Sequence, residues 1–375
     1  MKIVVAPDSF KGSLTAIEAC RAIEEGIRRA APEADIVKVP MADGGEGTAQ
    51  SLVDAMQGQM RQVAVRGPLG NPVAAKYGIL PDRTAVIEMA EASGLYRIPA
   101  KRRNPLLTST YGTGELIVDA LDQGCRRFIV CLGGSATNDG GAGMVQALGA
   151  GLLDEDGRQL LPGGGRLGAL QRIDISGIDP RLQDCTFTAA CDVDNPLCGP
   201  RGASHVFGPQ KGATPDMIGT LDRHLRHYAE VIERELGKQI LHVPGAGAAG
   251  GMGAAVLAFL NGTLRKGVEL VMEAADLKNK LHGADLVITG EGQSDFQTAM
   301  GKAPFGVAKA AQQAGAPVVL ISGSIGAGIE ALYEHGVVSV FSIVNRPMPL
   351  EQAMNNAYGL LADCAERVVR LAKIK

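Results

Sequence analysis

An α/β protein with two domains built on parallel sheets is the fold this sequence predicts, and three observations carry it. Short apolar strands alternate with helical patterns at both ends of the chain. Glycine-rich loops follow those strands directly, at the points where helices begin. The length, 375 residues, exceeds what one hydrophobic core ordinarily organises.

The first unit opens with Lys2–Pro7 extended, passes through the polar loop Asp8–Leu14, and enters a helix with Ile17, Cys20, Ile23 and Ile27 on one face. Thr15 and Glu18 form a capping box at its start, because hydroxyl and carboxylate can each accept an orphan N–H. Strand Ile36–Val39, loop Pro40–Gly47 and helix Thr48–Met56 repeat the pattern, so the strands pair in parallel. Over Val63–Tyr77 and Thr84–Met89, strands are joined by Gly-Pro and Pro-Asp turns instead of helices, which places a domain change near residue 65. Helix Gly114–Gln123 stops at Gly124, strand Phe128–Leu132 runs into Gly133–Gly141, and helix Met144–Ala150 follows. Strand Ala189–Val193, a helix around Pro215–Leu236 and a glycine-rich turn at Gly245 come next. The last third is regular again: strand Asp285–Thr289, an acidic glycine loop, a helix from Pro304, strand Pro317–Ser322, helix Ile329–Glu334, strand Val337–Ile343 and a long final helix. Short parallel strands do not stand alone in water. The two ends therefore complete one sheet, a discontinuous α/β domain of residues 1–64 and 286–375, with a second α/β domain, 65–285, inserted between them.

Composition narrows the function. Hydrophobic residues at 46% and charged residues at 21% describe a globular enzyme, not a disordered chain. A net charge of −3 without a basic stripe excludes a general nucleic-acid binder. Seven cysteines, an odd set lacking Cys-x-x-Cys, indicate neither a disulfide framework nor a zinc site and suit a cytoplasmic location. No export signal is visible before the first strand. The uncharged stretch Val243–Leu264 carries Pro244 and six glycines, so it reads as a loop entering a buried helix, with no partner membrane.

Five loops follow an apolar strand and precede a helix: Asp8–Ser13, Ala42–Thr48, Gly133–Gly143, Cys191–Gly199 and Gly290–Asp295. Such turns aim free N–H groups and the positive end of a helix at an anion, and glycine lets phosphate approach. They also hold Asp8, Asp43, Glu46, Asp139, Asp192, Asp194, Glu291 and Asp295. Carboxylates beside a phosphate site make sense if Mg²⁺ bridges them, or if one takes a proton from an attacking hydroxyl. Lys11 and Lys302 would neutralise the transferring group. A Walker loop is absent, since Gly301-Lys302 is followed by Ala303. Gly245-x-Gly247-x-x-Gly250 matches a dinucleotide fingerprint, a weak signal in a chain with 50 glycines. His224 and His227 stand one turn apart but lack a third zinc ligand and read as surface residues. Ser135 sits in Gly-Gly-Ser-Ala, not in a hydrolase elbow.

Taken together, three long motifs carry a resemblance: Ala6-Pro7-Asp8-Ser9-Phe10-Lys11-Gly12-Ser13-Leu14, Pro40–Thr48, and Gly133–Gly143 with its Ser135-Ala136-Thr137-Asn138-Asp139 centre. It continues through Gly112–Glu115, Cys191–Leu197, Phe207–Ala213, Pro244–Met252 and Ile288–Gly292. The chain resembles the type I glycerate kinase family over nearly its whole length. That resemblance implies phosphorylation of D-glycerate by ATP with Mg²⁺, giving 2-phosphoglycerate, and an active site in the cleft between the two domains. The alternatives are a kinase giving 3-phosphoglycerate or acting on another small hydroxy acid, and a non-catalytic nucleotide-binding protein.

On this reading Lys11, Asp192 and Asp295 are catalytic, with Asp192 or Asp295 as the base. Asp8, Ser9, Asp43, Gly44, Gly45 and Arg66 bind substrate, and Asp43 and Asp192 hold the metal. Gly133, Gly134, Ser135, Asn138, Gly247 and Gly250 bind nucleotide, unless the two glycine loops that hold them, Gly133–Gly143 and Gly245–Gly253, serve as helix entries only for close packing. Arg66, Arg103 and Lys211 are the basic partners open to the glycerate carboxylate. In one place the motif departs from the family: Gln293 stands where members commonly carry Arg, which removes a permanent charge from the Gly290–Thr298 loop. No feature sets an oligomeric state.

Overall fold

The computed structural model describes residues 1–373. The chain divides into two compact units, one of Met1–Asp43, Gln50–Gln57 and the segment from Val268 onward, the other of Gly44–Ala49 and Gly58–Gly267.

The first unit is a five-stranded parallel sheet in the order Val337–Ser342, Val318–Ile325, Leu286–Ser294, Lys2–Val5, Asp35–Lys38. Its two ends of the chain meet where Ile3 pairs with Leu286 and Val5 with Ile288, as strand alternation in both segments requires. Ile3, Val5, Ile23, Ile27, Ile288 and Ile321 share one core with Leu361 and Val368 of helix Ala357–Ala372. Helix Ala16–Ala30 begins with the predicted box: Thr15 N–H donates to Glu18 Oε2 at 2.8 Å, and Glu18 N–H to Thr15 Oγ1 at 3.3 Å. It packs on the final helix through Gly26, where a Cβ would collide with the Ala362 carbonyl.

Two expectations for this unit change. Strand Leu286–Ser294 continues through the expected acidic loop, because Gly290, Glu291 and Gln293 still pair with Ile321, Ser322 and Ser324 of the neighbouring strand. The boundaries move as well, to Gly58 and Val268 instead of 65 and 286. Strand Gln59–Arg66 pairs along its whole length with Pro72–Ile79 in an antiparallel hairpin and so joins the second sheet. Val268 and Met272, on helix Gly267–Ala274, lie against Gly306 of the first unit.

The second unit holds a six-stranded sheet: Thr263–Arg265, Thr186–Ala190, Arg127–Cys131 and Thr84–Glu88 in parallel, then the hairpin strands Pro72–Ile79 and Gln59–Arg66. Phe128 and Phe187 stack on adjacent strands at 4.5 Å, within a core that also takes Tyr77, Leu116, Met144 and Tyr228. Helix Ala248–Phe259 is buried there, and among the described residues no helix is long and apolar enough to cross a membrane. His224 and His227 are half-buried, not surface residues: His224 Nδ1 lies 3.1 Å from the Gly164 carbonyl and His227 Nε2 2.6 Å from that of Leu170.

Candidate active site

At the carboxyl ends of the central strands, the first unit opens a cleft of about 710 Å³. Asp8 stands at its floor because the extended chain beyond Val5 keeps bonding, Ala6 N–H to Ile288 O and Asp8 N–H to Gly290 O, both 2.8 Å. Only 8% of Asp8 is exposed. Burial, then repulsion from Asp43, raises its carboxyl to about 7. Ser9 lines the same wall and donates its N–H to Asp8 Oδ1 at 2.6 Å. Lys11 extends into solvent with its ammonium 3.8 Å from Asp43 Oδ2. A pair this exposed contributes little to stability, which leaves the lysine available to an anion.

The opposite wall comes from Leu286–Ser294 and the turn after it. Glu291 is buried; its Oε1 accepts from Thr298 Oγ1 at 2.6 Å and Ser294 Oγ at 3.0 Å, and its Oε2 faces Lys302 Nζ at 3.8 Å. Desolvation nonetheless pushes its carboxyl upward. Asp295 lines the cleft with both oxygens engaged, Oδ1 by Gln297 N–H at 2.9 Å and Oδ2 by Gln293 Nε2 at 3.3 Å. Gln293 therefore orients Asp295 by a hydrogen bond without cancelling its charge. Glu291 and Lys302 were visible as loop residues in the sequence, but the strand that turns Glu291 inward was not.

In the second unit, Gly133 and Gly134 are exposed at the turn after strand Arg127–Cys131. Gly134 has φ +72° and Gly133 faces Gly45, a Cβ on it falling 3.1 Å from the Gly45 Cα. Gly44, at φ +85°, fits against Gly267 and Ala190, and a Cβ there would lie 3.7 Å from Asp192 Oδ2. Asp192 is exposed, and its Oδ1 accepts from Gly267 N–H at 3.0 Å. Glu88, a residue the motifs did not single out, receives Gly47 N–H at 3.1 Å and Ala49 N–H at 2.8 Å and so shapes the Gly44–Ala49 turn.

Four expected ligands are corrected. Asn138 is fully buried and donates to Ser204 Oγ at 2.9 Å, so it does not face a nucleotide. Gly247 and Gly250 are packing positions: Cβ atoms there would strike the carbonyls of Pro196 and Thr137, and the Gly247 N–H is spent on Asn195 O at 3.0 Å. Arg66 lies over the Tyr111 ring at 4.0 Å and pairs with Glu115 at 3.3 Å, which commits it within the second unit. Asp139, also buried, takes Thr110 N–H at 2.8 Å and Thr110 Oγ1 at 2.9 Å and thereby staples the glycine loop from inside.

Lys211 is likewise interior, not a carboxylate clamp: its Nζ donates to Thr137 O at 2.6 Å and Ser135 Oγ at 2.9 Å. Burial lowers its ammonium to about 7. Between about pH 7 and about pH 10 the unfolded chain then binds the extra proton, so this group's contribution to stability grows as pH rises. Denaturant melts should show Lys211→Met losing about 2 kcal/mol more relative to the parent at about pH 9 than at about pH 7. Equal losses at both pH values would place the ammonium in ordinary solvent.

Among the described residues, no group of three His, Cys, Asp or Glu side chains gathers as a metal centre. Mg²⁺ characteristically arrives on nucleotide phosphates and takes one or two carboxylates, a requirement that Asp192 beside the Gly44–Gly45 turn fits by donor type.

Buried acids beside lysines, at the carboxyl ends of parallel strands, suit movement of a charged group onto a hydroxyl. The family model described as "Glycerate kinase family" matches residues 3–373. A Halalkalibacterium halodurans protein named "Glycerate kinase" is 56% identical over 98% of this chain and 97% of its own length. "Glycerate 2-kinase" of Escherichia coli is 53% identical over 96% of this chain and 94% of its own. A crystal structure of a Salmonella typhimurium LT2 protein superposes with TM-score 0.91 at 51% identity, covering 100% of this chain and 98% of that one. The chain belongs to the glycerate kinase family.

Proposed function

We propose that this chain transfers the γ-phosphoryl group of ATP to the 2-hydroxyl of D-glycerate, giving 2-phosphoglycerate and ADP. One observation supports the assignment above all: a cleft in which buried Asp8 and Glu291 share walls with Asp43, Asp295, Lys11 and Lys302. Glycerate presents two hydroxyls and a carboxylate, and the cleft offers acceptors for the first and ammonium groups for the second. Ser9 and Asp295 hold the hydroxyls, and Lys302 receives the carboxylate. Asp8, ionised above about pH 7, accepts the proton of the attacking hydroxyl. It displaces Asp295 in that role because both Asp295 oxygens already accept hydrogen bonds. Lys11 follows the phosphoryl group on its long exposed side chain and offsets the charge spread over its oxygens.

The exposed turn Gly133-Gly134, with Ser135 behind it, receives the nucleotide phosphates through main-chain donors. Bound Mg²⁺, held by Asp192 beside the Gly44–Gly45 turn, would supply charge neutralisation on those phosphates.

The test is incubation with ATP, Mg²⁺ and D-glycerate followed by phosphorus NMR of the product. A secondary ester couples to one carbon-bound proton and gives a doublet, whereas a primary ester couples to two and gives a triplet. The doublet is expected. A triplet would move the reaction to the 3-hydroxyl, and no ADP release with any hydroxy acid would leave a nucleotide binder without kinase activity.

A further inference from the structure

Behind the cleft, the first unit has a second hollow of about 770 Å³. Helix Leu350–Asn355 separates the two: Leu350, Ala353 and Met354 face the cleft, and Gln352 and Asn355 face the hollow. Arg346 and Arg367 line the hollow from either side of that helix in the sequence, together with Asn345, Asn355 and Asn356. Neither guanidinium has an ion-pair or hydrogen-bond partner among the described residues. Elsewhere on the same helical layer arginines do find carboxylates: Arg29 meets Asp363 at 2.9 Å, and Arg370 meets Glu366 at 2.9 Å. Asp363 is the one acid lining the hollow, and its Oδ1 is engaged by Arg29.

The chemistry is one-sided. Two planar five-donor groups without ion-pair partners face a concave surface whose other polar lining is Tyr358, a single acid already engaged by Arg29, and the carboxamides Asn345, Gln352, Asn355 and Asn356, which carry no negative charge. A guanidinium matches a carboxylate or phosphate in a bidentate fork, and two of them favour a ligand with two such groups. We propose that this hollow is a second anion site, distinct from the cleft, for a small molecule carrying at least two carboxylate or phosphate groups. It does not depend on which acceptor the cleft phosphorylates. An anion seated there would lie one short helix away from the cleft wall.

Calorimetric titration of the metal-free chain with citrate, and separately with pyrophosphate, tests the proposal. Salt at about 0.1 M suppresses binding that is only long-range attraction. At least one of the two probes should bind with Kd below about 1 mM, and its affinity should fall roughly tenfold or more in the double variant Arg346→Gln, Arg367→Gln. Lys11→Ala, which alters the cleft, should bind that probe like the parent. Preference for citrate marks a polycarboxylate ligand and preference for pyrophosphate a phosphorylated one. The proposal is overturned if neither probe binds, if the double variant binds like the parent, or if Lys11→Ala abolishes the binding. Both arginines are exposed, so their replacement leaves the core intact.

Discussion

Asp8→Asn lowers kcat with ATP and D-glycerate by about 10²- to 10⁴-fold, the range expected when a positioned proton acceptor is lost. The fold does not suffer with it. Asn is nearly isosteric and can still accept the Ser9 N–H, while a buried carboxylate raised to about 7 is a burden on the folded state. Between about pH 4 and about pH 7 the folded chain holds the proton and the unfolded chain releases it, so this group's contribution to stability declines as pH rises through that window. Removing the carboxylate should therefore keep or raise the melting temperature at neutral pH. The parent's kcat/KM should fall on the acid side of about pH 7, where Asp8 gains its proton. Asp43→Asn supplies the control on cause, because Asp43 contributes to the elevation of Asp8 and its neutralisation should slide the acid limb to lower pH. A variant at position 8 that keeps kcat within about threefold of the parent would remove Asp8 from the chemistry.

How much of this was legible in the sequence depends on whether a feature is local. The βα units at both ends, the Thr15–Glu18 box and the acid-bearing loops are local patterns, and Asp8, Lys11, Asp43 and Asp295 do line one cleft. Burial is not local. Asn138, Asp139 and Lys211 sit in segments that look like phosphate loops, and only the layers folded over them show that their donors and acceptors point into the protein. The hairpin register that takes Gln59–Arg66 into the second sheet was hidden for a related reason: Gln59, Arg61 and Gln62 give that strand too weak an apolar alternation to announce itself. Glu291 was misplaced on a loop because glycines at 290 and 292 suggest a turn, whereas the neighbouring strand holds them extended.

The glycine-rich turn at Gly245–Gly253 yields the second large effect. Gly250→Ala should destabilise the chain by about 3 kcal/mol or more, lowering its melting temperature by roughly 4 °C or more, or leaving little soluble protein. Two independent costs add. Gly250 has φ +72°, a region where an L side chain is strained by about 1–2 kcal/mol. Its Cβ would also run into the carbonyl oxygen of Thr137, the same atom that accepts from Lys211 Nζ, so the obstacle is main chain held in place and cannot rotate away as a side-chain tip would. A dinucleotide fingerprint predicts the opposite division of effects, with folding preserved and nucleotide affinity lost, since glycine there would serve an incoming phosphate. Melting curves with and without ATP separate the two. If Gly250→Ala folds as well as the parent but no longer gains stability from ATP, the turn is a nucleotide site after all; if it melts early and ATP still raises its melting point, glycine is present so that one stretch of main chain can cross another.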